Sequence, residues 1–299
     1  MAAKVEVEVE GRRLQLSNLD KPLYPDGFSK AQVIDYYTRV APVLLPHLRG
    51  RPLTLKRYPD GVESGYFYEK NCPKHRPPFV ETVAVYSHGN RKDMDYCVVN
   101  DLPSLVWAAN LASLELHTSL SRGDDLPRPT MLVLDLDPGP PATIVECCRV
   151  ALLARELLDQ LGLVSFPKTS GSKGLQLYLP LNTAVGYEVT KTFARNLARQ
   201  LEQTHGDLVV SSMKKELRRG KVLVDWSQND DHKTTVCVYS LRANERPSVS
   251  TPVGWEEVER CAGRADPALL VFDAEAVLRR VDKQSDLFEP VLRLKQSIS

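Results

Sequence analysis

Residues 131–139, MLVLDLDPG, constrain the fold more than any other stretch of the chain. They form a strong strand pattern stopped by Pro138-Gly139. Side chains on a strand alternate faces. Leu132, Leu134 and Leu136 therefore enter a core, and Val133, Asp135 and Asp137 share the other face. Aspartate is disfavoured in strands. Two on one face, about 6–7 Å apart at Cα by strand rise, repel unless a cation or solvent comes between them. Hard oxygen ligands of this kind suit Mg²⁺ or Mn²⁺, whose open positions take phosphate oxygens. The plainer reading is a solvated strand end whose aspartates cap the turn.

A second carboxylate motif lies at 221–229, KVLVDWSQN, where Asp225 ends another apolar strand on the face of Lys221 and Leu223. Alone, it is an ordinary strand-end aspartate. Beside Asp135 and Asp137 it would let two metals sit about 3.5–4 Å apart, the geometry of in-line phosphoryl transfer. The loop TSGSKG at 169–174 falls between two strands. Its glycines let backbone N–H groups converge on an anion, with Ser170, Ser172 and Lys173 adding hydroxyls and charge. It is no Walker A loop, and the alternative is a Gly- and Ser-rich hairpin turn. His117 closes the run ASLELH, read as the end of a helix, where a histidine is also favoured by the dipole. Gly65–Lys70 carries three successive aromatics, with Phe67 on one face and Tyr66 and Tyr68 on the other. Aromatic plus basic side chains make a base-stacking platform, and plain packing accounts for them equally well.

The remaining pattern predicts mixed α/β structure with substantial antiparallel sheet. Val5, Val7 and Val9 alternate with glutamates as a half-exposed strand. Ser29-Lys-Ala-Gln32 is a capping box opening a helix toward Pro46. Short strands are expected at 53–58, 65–70 and 80–86. A helix starting at Pro103 would carry Leu105, Val106, Ala109, Ala112 and Leu116 on one face. Residues 123–130 are expected as a polar linker, and a helix from Thr143 to Leu161 ends at Gly162. Strands near 163–169 and 175–179, a helix at 187–204, an antiparallel set at 208–212, 221–226 and 234–240, and two or three helices complete the chain. With 299 residues, this makes one large α/β domain or two subdomains, approximately 1–125 and 126–299.

No run approaches about 18 apolar residues, and residues 1–10 lack a signal-peptide core, so a cytoplasmic location without membrane contact is expected. The cysteines are expected as free thiols, Cys72 and His75 giving only half of a zinc site. The balance of 39 basic against 38 acidic residues neither requires nor forbids nucleic acid. Charge is instead local, above all in KKELRRGK at 214–221 and in Lys56-Arg57 after Arg49 and Arg51.

The stretches LSNLDKPLYP, KAQVIDYY, GRPLTLKRYPDGV, FYEK, LELH, LVLDLDPG, FPKTSGSKGLQLY, ELRRGKVLVDWSQN and KTTVCVYSLR occur together and in order. In them the chain resembles the polymerase domain of bacterial ligase D, within the archaeo-eukaryotic primase superfamily, from about Leu16 to Leu241. The resemblance implies an α+β primase-like fold, two subdomains with largely antiparallel sheets forming a central catalytic cleft and helices outside. It also implies a template-directed nucleotidyltransferase that fills gaps and extends ends in non-homologous end joining, attacking an incoming nucleotide's α-phosphate with a primer 3′-hydroxyl. Asp135, Asp137 and Asp225 then match the family's catalytic metal ligands, for two Mn²⁺ or Mg²⁺ ions. Lys56, His117, Ser170, Ser172, Lys173, Gln176, Arg218, Gln228 and Arg242 match nucleotide contacts for NTP or dNTP. Asn18, Lys21 and Lys30 match a pocket for the 5′-phosphate of gapped, nicked or broken DNA, and Phe67 and Tyr68 match template-stacking aromatics. Ku and an ATP-dependent DNA ligase are the implied partners, and the bacterial nucleoid the implied place.

Two departures stand out. Gln176 occupies a usual histidine position, and an amide cannot carry a proton charge. Tyr68 replaces a common phenylalanine, which keeps stacking intact. Two rival readings remain, a haloacid-dehalogenase-like phosphatase with Asp135 as nucleophile, and a non-catalytic module that recognises 5′-phosphorylated ends. The first needs Thr or Val where Gly139 stands; the second has no use for buried carboxylates.

Overall fold

The computed structural model describes residues 4–87 and 89–298; residues 1–3 of the N-terminal segment lie outside the described residues. The chain begins with β1 (Lys4–Val9), β2 (Arg12–Ser17), α1 (Lys30–Leu48), β3 (Leu53–Arg57), β4 (Phe67–Glu69), β5 (Glu81–Ser87), β6 (Lys92–Val98), α2 (Leu102–Asn110) and β7 (Ser113–Thr118). It continues with β8 (Ser121–Arg122), β9 (Asp125–Pro129), β10 (Met131–Pro138), α3 (Ile144–Gln160), β11 (Phe166–Thr169) and β12 (Leu175–Pro180). Next come α4 (Tyr187–Thr204), β13 (Val209–Val210), β14 (Val222–Asp225), β15 (Thr235–Val236), α5 (Trp255–Arg264) and α6 (Ala274–Gln284). The architecture is mixed α+β with largely antiparallel sheets. Among the described residues, no helix is long and apolar enough to cross a membrane.

Contacts gather the chain into two units. One holds the residues up to Ser119 together with Thr234–Val249 and Asp273–Ser285. The other holds Leu120–Lys233, Ser250–Phe272 and the residues from Asp286 onward.

In the first unit the sheet runs β15-β7-β3-β6-β5, with β4 pairing a further part of β3. Helix α1 starts where the sequence places a capping box: the Gln32 N–H donates to Ser29 Oγ, and the Ser29 N–H to Gln32 Oε1. Its buried stripe includes Val33, Tyr37, Val40, Leu44 and Leu48. Full burial of each aliphatic contributes about 1.5–3 kcal/mol. Tyr37 adds a buried hydroxyl that donates to the Leu114 carbonyl at 2.7 Å, tying helix to sheet.

In the second unit the sheet order is β11-β12-β10-β14-β13. Leu132, Leu134 and Leu136 of β10 are fully buried in one cluster with Cys147, Val150, Ala151, Ala154 and Leu158 of α3. One face of β10 is therefore committed to the core, which leaves the aspartate face for chemistry. Helix α3 has its own capping box, Thr143 with Glu146, and beyond it Gly162 adopts φ 70°.

Four expectations are corrected. The helix at Pro103 ends at Asn110; Ala112 turns the chain at φ 57°, and Ser113–Thr118 is a strand. Leu114 and Leu116 are buried at a period of two, and pairing with β3 satisfies a backbone that a helix would satisfy internally. Residues 123–130 are no linker, because Asp125–Pro129 pairs with β8 across the turn at Gly123-Asp124. The three strands expected as one antiparallel set separate. β13 runs parallel to β14, β14 pairs antiparallel to β10, and β15 joins β7 in the first unit. Cys72 and Cys97 are joined by a disulfide, their segments being brought together by the Cys72 N–H donating to the Asp95 carbonyl; Cys147, Cys148, Cys237 and Cys261 are free and buried.

Candidate active site

The register of the second unit's sheet builds the site. Asp135 lies directly opposite Asp225 on one side and Gln176 on the other, and Gln176 lies opposite Lys168. Residues paired this way share a face, with Cβ atoms about 4.5–5.5 Å apart. Asp137, two residues along β10 and opposite Leu223, points to the same face. The structure thus brings the three aspartates together.

Each carboxylate has a distinct setting. Asp225 is buried, and its Oδ1 accepts from the Ser227 N–H at 2.8 Å and hydroxyl at 2.6 Å. Its Oδ2 accepts from Gln228 Nε2 at 2.9 Å, so this glutamine serves first to hold the carboxylate. Asp137 is exposed at the strand end. Asp135 is half-buried, and its carboxyl is pushed up to about 7, chiefly by burial and then by the charges of Asp137 and Asp225. The Gln176 hydrogen bond and the charge of Lys168 oppose that shift. Negative charge is concentrated here beyond what the protein's own cations offset, which is the donor set a hard divalent cation fits.

The loop after β11 closes on itself. Ser170 Oγ accepts from the Ser172 N–H at 3.2 Å and the Gly174 N–H at 3.1 Å, while Ser172 and Lys173 are exposed. A Cβ on Gly174 would stand 2.2 Å from the Leu136 carbonyl, and one on Gly139 would stand 1.9 Å from the Arg218 carbonyl. Both glycines are required by close backbone approach. They bring the loop against β10 and the basic segment 213–220 against the Pro138-Gly139 turn. Arg218 itself donates to the Met213 carbonyl at 2.7 Å.

Lys56, His117 and Arg242 belong to the first unit, where they surround Glu115. That carboxylate, 2% exposed, accepts from His117 Nε2 at 2.9 Å and Lys56 Nζ at 3.3 Å, with Arg242 Nε at 3.6 Å. Burial alone would raise its pKa; the His117 hydrogen bond and the charges of Arg242, His117 and Lys56 outweigh it and hold the carboxyl at about 2. His117 is pushed down by burial, against the pull of Glu115. A neutral ring that donates Nε2–H to Glu115 leaves Nδ1 as an acceptor. His117 is therefore a strand residue on the face of Glu115, and the expectation of a helix-end histidine is corrected.

Asn18, Lys21 and Lys30 also come together in the first unit. Lys21 N–H donates to the Asn18 carbonyl, Lys30 N–H to the Lys21 carbonyl, and Lys30 Nζ to the Ser17 carbonyl at 2.7 Å. Burial, then Arg57 and Lys21, lower Lys30 to about 8. Lys21 is paired with Asp60 at 2.6 Å. Phe67 and Tyr68 are exposed on β4, with Arg57 over the Phe67 ring and Lys56 near that of Tyr68.

Sequence reasoning missed four supporting residues. Glu115 was hidden by the helical reading, since residues two apart share a face only on a strand. Ser227 braces Asp225. Asn229, wholly buried, accepts from the Val133 N–H at 2.9 Å and donates to its carbonyl at 2.7 Å. Lys168 is buried beside Gln176. Their signal, polar side chains inside apolar strings, shows only once the strands are paired.

Comparison with known proteins adds to this geometry. The family model described as the LigD primase-polymerase domain matches residues 29–288. The multifunctional non-homologous end joining protein LigD of Mycolicibacterium smegmatis is 41% identical over 283 residues, which are 93% of this chain and 36% of that protein. The bifunctional LigD of Bacillus subtilis is 34% identical over 274 residues, 91% of this chain and 43% of the relative. The chain thus spans less than half the length of these relatives. A solved structure of the polymerase domain of Mycobacterium tuberculosis ligase D, in complex with DNA, superposes with a TM-score of 0.86 at 40% identity, covering 94% of this chain and 98% of that one. A match over most of the sequence, a shared fold and relatives above a third identical lead to one conclusion: the chain belongs to the LigD primase-polymerase domain family.

Proposed function

We propose that the protein is a template-directed nucleotidyltransferase that extends a DNA 3′-hydroxyl and fills gaps during non-homologous end joining. The observation that carries this reading is the pairing of Asp135 with Asp225, with Asp137 beside them on the same face. Two divalent ions, Mn²⁺ or Mg²⁺, held by these carboxylates would lower the pKa of an attacking hydroxyl and neutralise charge on leaving pyrophosphate. Asp135 and Asp137 supply ligands from one strand and Asp225 from the next, kept in place by Ser227 and Gln228. Ser170, Ser172, Lys173 and Arg218 offer hydroxyls and charge to an NTP or dNTP triphosphate, and Lys56, His117 and Arg242 are further nucleotide contacts. Asn18, Lys21 and Lys30 take a 5′-phosphate, while Phe67 and Tyr68 stack on template bases. The DNA in the tuberculosis relative's complex supports the choice of DNA as substrate. The names of the relatives support non-homologous end joining as the setting, and the proposal places the protein beside Ku and an ATP-dependent DNA ligase in the bacterial cytoplasm.

A haloacid-dehalogenase-like reading fares worse, because position 139 has no room for the side chain that chemistry needs. The deciding experiment is primer extension on gapped DNA with Asp137→Ala. Extension should fall by about a hundredfold or more while DNA binding persists. Unchanged extension would overturn the assignment, and release of inorganic phosphate from simple esters would favour the rival.

A further inference from the structure

Lys168 is fully buried in β11, an expensive place for an ammonium. Its Nζ donates to Gln176 Oε1 at 2.6 Å and to Ser250 Oγ at 2.7 Å. The Ser250 hydroxyl in turn donates to the Thr169 carbonyl at 2.9 Å, which leaves its oxygen lone pairs facing the lysine. Tyr178 presents its ring 5.4 Å from the same nitrogen. The lysine closes a row across four strands, Lys168–Gln176–Asp135–Asp225, each residue directly opposite the next.

The chemistry of that row is directional. An ammonium only donates, so it binds only the oxygen end of an amide. With Oε1 taken by Lys168, the NH₂ of Gln176 is the end left for Asp135, and a hydrogen bond from Gln176 does reach that carboxyl. The two ends of an amide have nearly the same shape. Without the lysine, packing alone would not favour the donor end over the acceptor end, and an acceptor facing Asp135 would repel it.

We propose that Lys168 is a positioning residue for the metal centre, setting the polarity of the Gln176 amide so that its N–H holds Asp135 as a metal ligand. The inference rests on the reading of Asp135, Asp137 and Asp225 as metal ligands and deepens it. Residues around metal ligands that fix their orientation commonly change affinity by about 10–100-fold when removed.

The test is Mn²⁺ uptake by the whole chain without nucleotide or DNA, followed by electron paramagnetic resonance of free and bound ion. Wild type should bind, and Asp137→Ala should lose most of the affinity. Lys168→Met, which keeps the buried stem, and Gln176→Met should each weaken binding about tenfold. The double variant should be weaker than Gln176→Met by much less than the loss seen in Lys168→Met alone, because the lysine acts mainly through the glutamine and its own charge on Asp135 is the smaller effect. In primer extension the half-saturating Mn²⁺ concentration should rise by the same factor in Lys168→Met. Thermal melts by circular dichroism establish which variants fold. Should Lys168→Met fail to fold, Lys168→Gln takes its place. A neutral amide can pack there yet both donates and accepts, so it does not fix the Gln176 amide, and the same loss of about tenfold is expected, whereas wild-type Mn²⁺ affinity would overturn the inference. Wild-type affinity in Lys168→Met or Gln176→Met, or losses that multiply in the double variant, would overturn the inference. Wild type that takes up no Mn²⁺, or Asp137→Ala that binds as well, would overturn the metal reading beneath it.

Discussion

Asp135 shows how a site of this kind weighs against stability. Its folded pKa, pushed up to about 7 by burial and by Asp137, lies above the unfolded value. The folded chain thus holds more protons than the unfolded one between about pH 4 and 7, and the metal-free protein loses stability as pH rises through that window. Asp135→Asn removes the charge. It should stabilise the metal-free protein at pH 8 by on the order of 2 kcal/mol, measured by urea denaturation, and gain nothing near pH 4. The same substitution should abolish stabilisation by added Mn²⁺. Glu115 carries the opposite sign. Its carboxyl, held at about 2, contributes stability that is full above its unfolded value and lost as pH falls through about 2. Glu115→Gln leaves Lys56, His117 and Arg242 around a neutral amide, and should cost about 3 kcal/mol at pH 7. The difference from wild type should shrink steadily in melts taken from pH 5 to pH 2. A constant difference would mean that packing, not charge, explains the loss.

At the scale of elements, what was legible in the sequence had a local cause. Helices α1 and α3 announced their starts through Ser29 with Gln32 and Thr143 with Glu146, and α3 its end through Gly162. The aspartate strand was legible because alternation at Leu132, Leu134 and Leu136 is a period-two signal that no helix shares. Strand β7 was not. Leu105, Val106, Ala109, Ala112 and Leu116 continue a helical spacing straight through the turn, and only Ala112 at φ 57° breaks it. The partner of a strand is equally invisible, since β14 carries nothing in its own four residues that selects β10 over β15. What the sequence did carry was a requirement for glycine. Gly174→Ala puts a methyl 2.2 Å from the Leu136 carbonyl, closer than backbone allows, so β10 or the loop must move. The expected result is a loss of about 2–3 kcal/mol in stability, of the size seen for overpacking, and a loss of nucleotide-dependent extension beyond that loss of folded protein. Normal extension at wild-type stability would show that the loop and strand do not need this contact.

At the scale of the whole molecule, the two units draw on segments far apart in the chain, residues 234–249 and 273–285 returning to the first unit after the second has been traversed. Contiguous boundaries drawn from sequence cannot follow such returns, because local pattern carries no record of which sheet a late strand rejoins. Charge is organised in the same piecemeal way. With 39 basic and 38 acidic residues the net field is weak, so the proposed recognition of DNA would rest on local groups, Asn18, Lys21 and Lys30 among them. Lys30 makes that reading testable. Burial and the charges of Arg57 and Lys21 lower it to about 8, so it is charged below that pH and neutral above it. A terminal phosphate keeps its double charge throughout, its second pKa lying near 6. Gapped DNA with a 5′-phosphate should therefore bind about tenfold tighter than 5′-hydroxyl DNA at pH 7, a difference of about 1.4 kcal/mol. That preference should decline as pH rises from 7 to 9, as followed by fluorescence anisotropy at constant salt. Lys21→Ala should reduce it, and Lys30→Gln should both reduce it and remove its pH dependence. Equal affinity for the two ends at pH 7 would show that these three residues do not form a phosphate pocket.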